Sequence, residues 1–407
     1  MTKSQLSRRS ALGMLGVAPV VASGALAGAP PARAQSVGAS RDRVPRDLRP
    51  GGAFDQRLGR LAAEGKLSGS ALLSHQGKTV LARSYGMANA RTSVPNGPDT
   101  AFALASVAKL FTAVAVVQLA ERGQVDFGQK IGAYLDGLPS AIADSVTVHH
   151  LLTHTSGMGN FHDSEEFRAN VASWTSGAAM LDGIMGVVRE TDLLFTPGTR
   201  FNYSNSGFVT LGAIVQAVSG QSFYDYVREH VFAAAGMTRT DYYTLPQRRT
   251  DDRIARPYAL MPTGERVDTL ERPDLFWAAF IGEPAGDAFA SASDMARFAR
   301  SLAGNRLLNP AYTTLAVTGK FPHPIRRNPA APAGASTPFQ AYGPIASIDS
   351  GQRIIGHGGG SPGAATAIDI YLDSGWVVVI LGNYGDFNTN PPVQQELMQE
   401  ARRLILG

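Results

Sequence analysis

One segment constrains this chain more than any other: Ala105-Ser106-Val107-Ala108-Lys109-Leu110-Phe111-Thr112-Ala113-Val114-Ala115-Val116-Val117-Gln118-Leu119. Wound as a helix, it is apolar on almost every side, which places it inside a domain rather than on a surface. Ser106 and Lys109 share one face near its start. An N-cap serine and a surface lysine are the plain readings of such a pair. Burial disfavours the charged form of a lysine, so an amine at the head of a core helix needs a compensating reason. Beside a hydroxyl that reason is chemical, because a partly desolvated amine draws off the hydroxyl proton and leaves a nucleophile.

With 407 residues the chain is long enough for one large domain or two smaller ones. Its formal net charge of +4 invites a nucleic-acid reading, which the distribution of charge removes. Up to Ala34 there are four basic residues, Lys3, Arg8, Arg9 and Arg33, and no acidic ones, so 33 basic residues remain against 33 acidic in the rest. No nucleic-acid partner is expected. Residues 1–34 read as an export leader: Ser7-Arg8-Arg9 is a twin-arginine n-region, a Gly- and Ala-rich stretch follows, and Ala32-Arg33-Ala34 is a small-x-small cleavage site. The stretch is rich in Gly and Ala rather than in the Leu and Ile of a membrane anchor, so the expectation is a periplasmic or secreted protein with no stable span after cleavage. The absence of cysteine excludes disulfides, thiolate metal sites, a cysteine nucleophile and a lipidated N-terminal cysteine.

Residues 35–52 are rich in Pro, Gly, Ser and alternating Arg and Asp, and read as a flexible lead-in. Phe54, Leu58 and Leu61 then predict an amphipathic helix over Phe54–Lys66. Ser70–His75 and Thr79–Tyr85 flank a glycine turn and predict a hairpin. The nucleophile helix runs from about Ser106 to Arg122. Between about 131 and 285 the pattern is mostly helical, including Gly207–Val218 and Ser222–Ala235, with scarce strand-like alternation. Ser291–Leu302 is a helix with a Ser or Asp cap. A Pro/Ala-rich loop, Phe321–Phe339, reads as a spacer. Strands over Gly343–Asp349, Gln352–His357, Ala364–Leu372 and Trp376–Leu381 follow, joined by short turns and so antiparallel. A helix over Val393–Leu406 ends the pattern. The expected architecture is α/β of the α+β type: one antiparallel sheet built from about 53–130 and 286–407, flanked by helices, with the helical 131–285 inserted and a cleft between the two parts.

Tyr203 and Asn205 stand in Phe-Asn-Tyr-Ser-Asn-Ser-Gly-Phe, and His357 opens His-Gly-Gly-Gly-Ser-Pro-Gly just before a strand. The order Ser-x-x-Lys, Tyr-x-Asn, His-x-Gly resembles the serine hydrolase superfamily of penicillin-recognising enzymes. The class C β-lactamase, D-Ala-D-Ala carboxypeptidase, D-aminopeptidase and family VIII carboxylesterase branch is the most similar. His150-Leu151-Leu152-Thr153-His154-Thr155-Ser156-Gly157, Pro197-Gly198-Thr199-Arg200-Phe201 and Ser291-Ala292-Ser293-Asp294-Met295 extend the likeness from about Phe54 to the C-terminus. Ser-x-x-Lys and Tyr-x-Asn each occur once. A second His-x-Gly, at His75, precedes the nucleophile and sits in a hairpin turn.

The resemblance implies a β-lactamase/transpeptidase-like fold and an acyl-enzyme mechanism. Ser106 attacks a carbonyl, Lys109 and Tyr203 share its proton, and Asn205 bonds the lysine or a substrate amide. The backbone N–H groups of Ser106 and Gly360 form an oxyanion hole, beside Gly359. The chain departs from the family at the third box, where true β-lactamases carry Lys matched to a substrate carboxylate. Here His357 is followed by Gly358, which favours esters or D-amino-acid amides and peptides over β-lactams. The implied partners are a small ester or peptide substrate, including peptidoglycan fragments, with no metal or organic cofactor. A true β-lactamase and an inactive peptidoglycan-binding protein are the alternatives.

Two further patterns compete. His149, His150 and His154 suggest a metal, with His150 and His154 at helical i, i+4 spacing, but no Glu follows His150 and the zinc motif is absent, so they read as structural. Gly359-Gly360-Ser361-Pro362-Gly363 matches the α/β-hydrolase elbow. That elbow needs a helix after it, and the residues that follow, Ala-Ile-Asp-Ile-Tyr-Leu, read as a strand. Ser361 is therefore expected in a loop lining the site.

Overall fold

The strand and helix patterns at the two ends of the chain meet in one sheet. The computed structural model describes residues 43–276, 279–324, 338–385 and 392–407. The export leader and most of the 321–339 loop lie outside the described residues. After helix α1 (Ala53–Ala63), strands β1 (Gly69–His75) and β2 (Lys78–Tyr85) form the hairpin. Strands β3 (Ile345–Asp349), β4 (Gln352–Ser361), β5 (Ala364–Tyr371) and β6 (Trp376–Gly382) form the meander. Strand β6 pairs antiparallel with β1 from Gly69↔Gly382 to His75↔Trp376, which joins the two ends of the chain. The eight-stranded sheet runs Phe321–Pro322, Phe339–Gln340, β3, β4, β5, β6, β1, β2.

Both faces of this sheet are covered, so β6 is apolar and buried throughout. In β6, Val377, Val379 and Leu381 point into the main core, and Trp376, Val378 and Ile380 into a second core on the opposite face. The second core receives Phe54 and Leu58 of α1 and Leu397, Met398 and Ala401 of the C-terminal helix Val393–Leu406. The main core holds helix α2 (Lys109–Glu121), in which every residue from Lys109 to Ala120 is buried. Fully burying each of its large apolar side chains contributes roughly 1.5–3 kcal/mol. Its polar side chains find acceptors: Thr112 Oγ1 donates to the Pro284 carbonyl at 2.6 Å, and Gln118 Nε2 to the His230 and Leu307 carbonyls at 2.9 and 3.0 Å. Helix α3 (Asn205–Ser219) packs against α2.

Several expectations are corrected. Ser106 does not lie in the α-helix; it sits on a 3-10 turn, Ala105–Ala108, and the α-helix starts at Lys109. Ser222–Ala235 is an α-helix only over Phe223–Val227 and continues as a π-helical turn over Arg228–Ala233. The helical middle contributes short strands, such as Tyr258–Leu260 with Arg266–Asp268, and Thr240–Asp241 against Phe289–Ala290. The third box is not a loop before a strand: His357 to Ser361 are the second half of β4. The ends of the 321–339 loop are strands. Within the lead-in, the turn Arg46–Leu48 is fixed by Leu48, fully buried in the second core.

Candidate active site

The turn bearing Ser106 is held from both sides. Leu104 N–H donates to the Ala288 carbonyl at 2.8 Å, and Thr366 Oγ1 of β5 donates to the Leu104 carbonyl at 2.8 Å. Ala105 adopts φ 45°, a left-handed conformation that a non-glycine residue enters under strain. The strain reverses the chain just before Ser106 and leaves that side chain half-buried at a cavity wall. Strand β4 presses on this turn so closely that a Cβ on Gly359 would lie 2.3 Å from the Leu104 carbonyl oxygen and 3.1 Å from Ser106 N. Only glycine fits there, which accounts for Gly359 inside a strand.

Lys109 is fully buried, and its ammonium uses all three donors: Ser106 Oγ at 3.2 Å, Asn205 Oδ1 at 2.7 Å and the Ala285 carbonyl at 2.5 Å. Its Nζ also stands 4.8 Å from the Tyr203 ring centroid and 5.5 Å from that of Phe208. Asn205 is the first residue of α3, whose N-cap Ser204 accepts from Gly207 N–H at 3.0 Å. The Asn205 backbone N–H donates to Asn160 Oδ1 at 2.8 Å, and its side-chain amide meets His162 Nδ1 at 3.3 Å. Tyr203 precedes this cap, and its buried hydroxyl has no hydrogen-bond partner among the described residues. An unpartnered buried phenol beside a nucleophile and an ammonium is available to a reacting group.

Two cavities flank Ser106, and Ser106, Gly360 and Ser361 line both. The first, about 540 Å³, is lined by His162, Asn205, Arg248, Glu283 and Asp287 together with Leu275, Phe276 and Phe289. Burial pushes the Glu283 carboxyl up to about 8 despite the pull of Lys109, and raises Asp287 against the pull of Arg248. Burial also lowers the Arg248 guanidinium to about 10. The second, about 670 Å³, is lined by Tyr203, His323, Gln340, His357, Gly358, Gly359, Thr366 and Gln394, and among the described residues no Lys, Arg, Asp or Glu lines it. His357 is buried, and desolvation, then the charge of Lys109, lower its imidazole to about 4. Its Nδ1 lies 2.6 Å from the Gly358 carbonyl, which only accepts, so Nδ1 carries the proton and Nε2 is an acceptor.

The structure thus brings Ser106, Lys109, Asn205, Tyr203, His357, Gly359 and Gly360 to one place. Ser361 lies at the end of β4 rather than in a loop, and the strand β5 follows it, so the elbow geometry is absent. His150 and His154 do not share a helix face, because the helix Val148–Leu152 ends before His154, which adopts φ 55°. His150 instead accepts from Thr147 N–H at 3.2 Å in a capping box. Sequence reasoning missed Asn160, His162, the Ala285 carbonyl, Glu283 and Asp287. The signal for the last three was an acid at each end of Glu-Pro-Ala-Gly-Asp, shortly before the Ser291 box.

Residues 54–403 match the family model described as Beta-lactamase. The chain is 26% identical over 360 residues to penicillin-binding protein 4* of Bacillus subtilis, covering 85% of this chain and 74% of that one. Among solved structures it resembles a penicillin-binding protein from Bacillus halodurans, with 28% identity, a TM-score of 0.72 and coverage of 85% and 98%. The D-amino acid amidase of Ochrobactrum anthropi SV3, at 22% identity, a TM-score of 0.66 and coverage of 86% and 98%, shares the fold. Among the described residues no helix is long and apolar enough to cross a membrane.

Proposed function

This chain belongs to the Beta-lactamase family and is a serine hydrolase of that superfamily, and on that premise we propose that it cleaves esters and D-amino-acid amides whose leaving group is uncharged. Ser106 Oγ attacks the carbonyl carbon in the form of the site in which Lys109 and Tyr203 together are one proton short, so that the serine proton completes the pair as ammonium and phenol. The Lys109 ammonium, 3.2 Å from Oγ, stabilises the developing alkoxide. The N–H groups of Ser106 and Gly360 face the oxyanion. Collapse returns the proton to the leaving group and leaves an ester on Ser106, which water then hydrolyses.

The observation that carries the choice of substrate is the second cavity. A wall that selects a carboxylate-terminated leaving group needs a cation, and burial holds His357 neutral at pH 7 on a wall where no other charged side chain stands among the described residues. Its Nε2 accepts from an alcohol or amide N–H. The amidase named among the solved structures supports the D-amino-acid reading. The test is a panel of short-chain p-nitrophenyl esters, D-amino-acid amides, D-Ala-D-Ala peptides and nitrocefin, with mass spectrometry of the Ser106 peptide. Esters are expected to be fastest. Clear preference for nitrocefin or for the carboxylate-terminated peptide would overturn the proposal, and folded protein with no adduct and no turnover would favour a binding protein. Export through the Ser7-Arg8-Arg9 leader is part of the same proposal. It predicts a mature chain beginning near Gln35 outside the cytoplasm, which N-terminal sequencing of fractionated cells checks.

A further inference from the structure

The phenol of Tyr203 has no hydrogen bond to hold it, yet the mechanism needs it in one place. Its backbone is held instead. His154-Thr155-Ser156-Gly157 runs alongside residues 194–204: Leu194 N–H donates to the Gly157 carbonyl at 2.8 Å and Gly198 N–H to the Thr155 carbonyl at 2.8 Å. A Cβ on Gly157 would lie 2.3 Å from the Phe195 carbonyl oxygen, so the two segments touch backbone to backbone. His154 closes this arrangement around Tyr203. Its carbonyl accepts from Asn202 N–H at 2.8 Å and its Nδ1 accepts from Ser204 N–H at 3.1 Å, the residues on either side of Tyr203. Its ring lies against the Tyr203 ring with centroids 4.3 Å apart and 30° between planes.

We propose that His154 is a positioning residue for Tyr203, gripping the backbone on both sides of it and forming the platform on which the phenol lies. The role depends on one tautomer. A backbone N–H only donates, so Nδ1 is unprotonated and the proton sits on Nε2. Full burial, reinforced by Lys109, keeps the ring neutral. It depends also on the left-handed backbone at His154, which turns carbonyl and ring towards the same segment. Side chains held this way determine whether a reacting group lies within an ångström of its working position, a displacement that can cost about 10²-fold in rate.

The inference rests on the reading that Tyr203 takes part in proton transfer, and the test separates the two. His154→Asn keeps a residue that tolerates the left-handed backbone and retains an acceptor, but removes the ring. With p-nitrophenyl acetate it is expected to lower kcat by ~10–100-fold with KM little changed. Tyr203→Phe supplies the reference. In that background His154→Asn is expected to add little, because the group it positions is gone. Equal losses in both backgrounds, or unchanged kcat in folded His154→Asn, overturn the proposal. A fully active Tyr203→Phe overturns the reading of Tyr203 and the proposal with it. The wild-type protein gives a second decision even where His154→Asn fails to fold. Long-range ¹H–¹⁵N correlation spectra are expected to show His154 protonated on Nε2, and protonation on Nδ1 overturns the grip on Ser204.

Discussion

The two cavities on either side of Ser106 share that side chain and differ in charge. The first carries Arg248, Glu283 and Asp287; the second is lined by histidines, glutamines, glycines and Tyr203. The same physics acts in both, since burial disfavours ionisation, but it acts on different starting materials. In the first, desolvation raises both carboxyls against the pull of Lys109 and Arg248, so the wall sets the Arg248 cation beside acids that burial favours in their protonated form. In the second the titratable side chains besides Tyr203 are, among the described residues, imidazoles, and burial strips their charge. A cleft of this kind distinguishes the two halves of a substrate by polarity before any shape is considered.

Lys109 belongs to neither lining, and its loss is the largest expected effect. Lys109→Met removes the donor to Ser106 Oγ and leaves Asn205 Oδ1 and the Ala285 carbonyl without their partner. Loss of activity by about 10³-fold or more is expected for every substrate, in line with removing one member of a catalytic set. The ratio between esters and D-amino-acid amides should stay within a few-fold. A change in that ratio as large as the loss itself, measured as kcat/KM for both, would show that Lys109 selects between the cavities rather than serving them.

The second effect concerns stability. Folding depresses the His357 imidazole from 6.5 to about 4, so between those values the unfolded chain binds a proton that the native chain does not. Stability therefore falls as pH drops through that window, by at most about 3 kcal/mol for this residue. His162, lowered to about 4 mainly by burial, adds in the same direction. His357→Gln should retain the acid-labile slope from His162 and lose the share from His357. Urea denaturation at pH 7 and pH 5 measures the difference, and identical slopes for the two proteins would show that folding leaves the His357 imidazole unshifted.

The architecture was legible because period-2 and helical patterns were strong at both ends: the hairpin, the meander and the last helix fall where alternation and glycine turns put them. The site was legible only where chemistry leaves a spacing. Ser106 to Lys109 is one helical turn, and Tyr203 and Asn205 flank a cap. What escaped was set by contact rather than pattern. The 3-10 turn under Ser106 follows from Ala105's left-handed backbone and the pressure of β4, neither of which a composition reveals. The triple glycine after His357 reads locally as a loop. Pairing with β5 makes it a strand, and tertiary crowding requires glycine at 359, since only a residue without a side chain lets β4 meet the turn that bears Ser106. Glu283 and Asp287 carry no signal beyond an acid at each end of a five-residue segment, and only the fold of the chain over Lys109 turns them into a wall.

The smallest expected effect tests the contrast most directly. His357→Lys would place a candidate cation on the uncharged wall and raise kcat/KM for a D-Ala-D-Ala peptide relative to a p-nitrophenyl ester. The gain is expected to be about tenfold, near 1.4 kcal/mol, and no larger. A lysine at this buried position gains no carboxylate among the residues lining the cavity, and Lys109 already disfavours a second cation nearby. Desolvation therefore returns part of what the substrate carboxylate supplies, and the benefit should grow as pH falls and the new amine protonates. An unchanged ratio at pH 6 in a folded variant would mean that wall shape, not wall charge, excludes the carboxylate, and the polarity contrast between the cavities would lose its link to specificity.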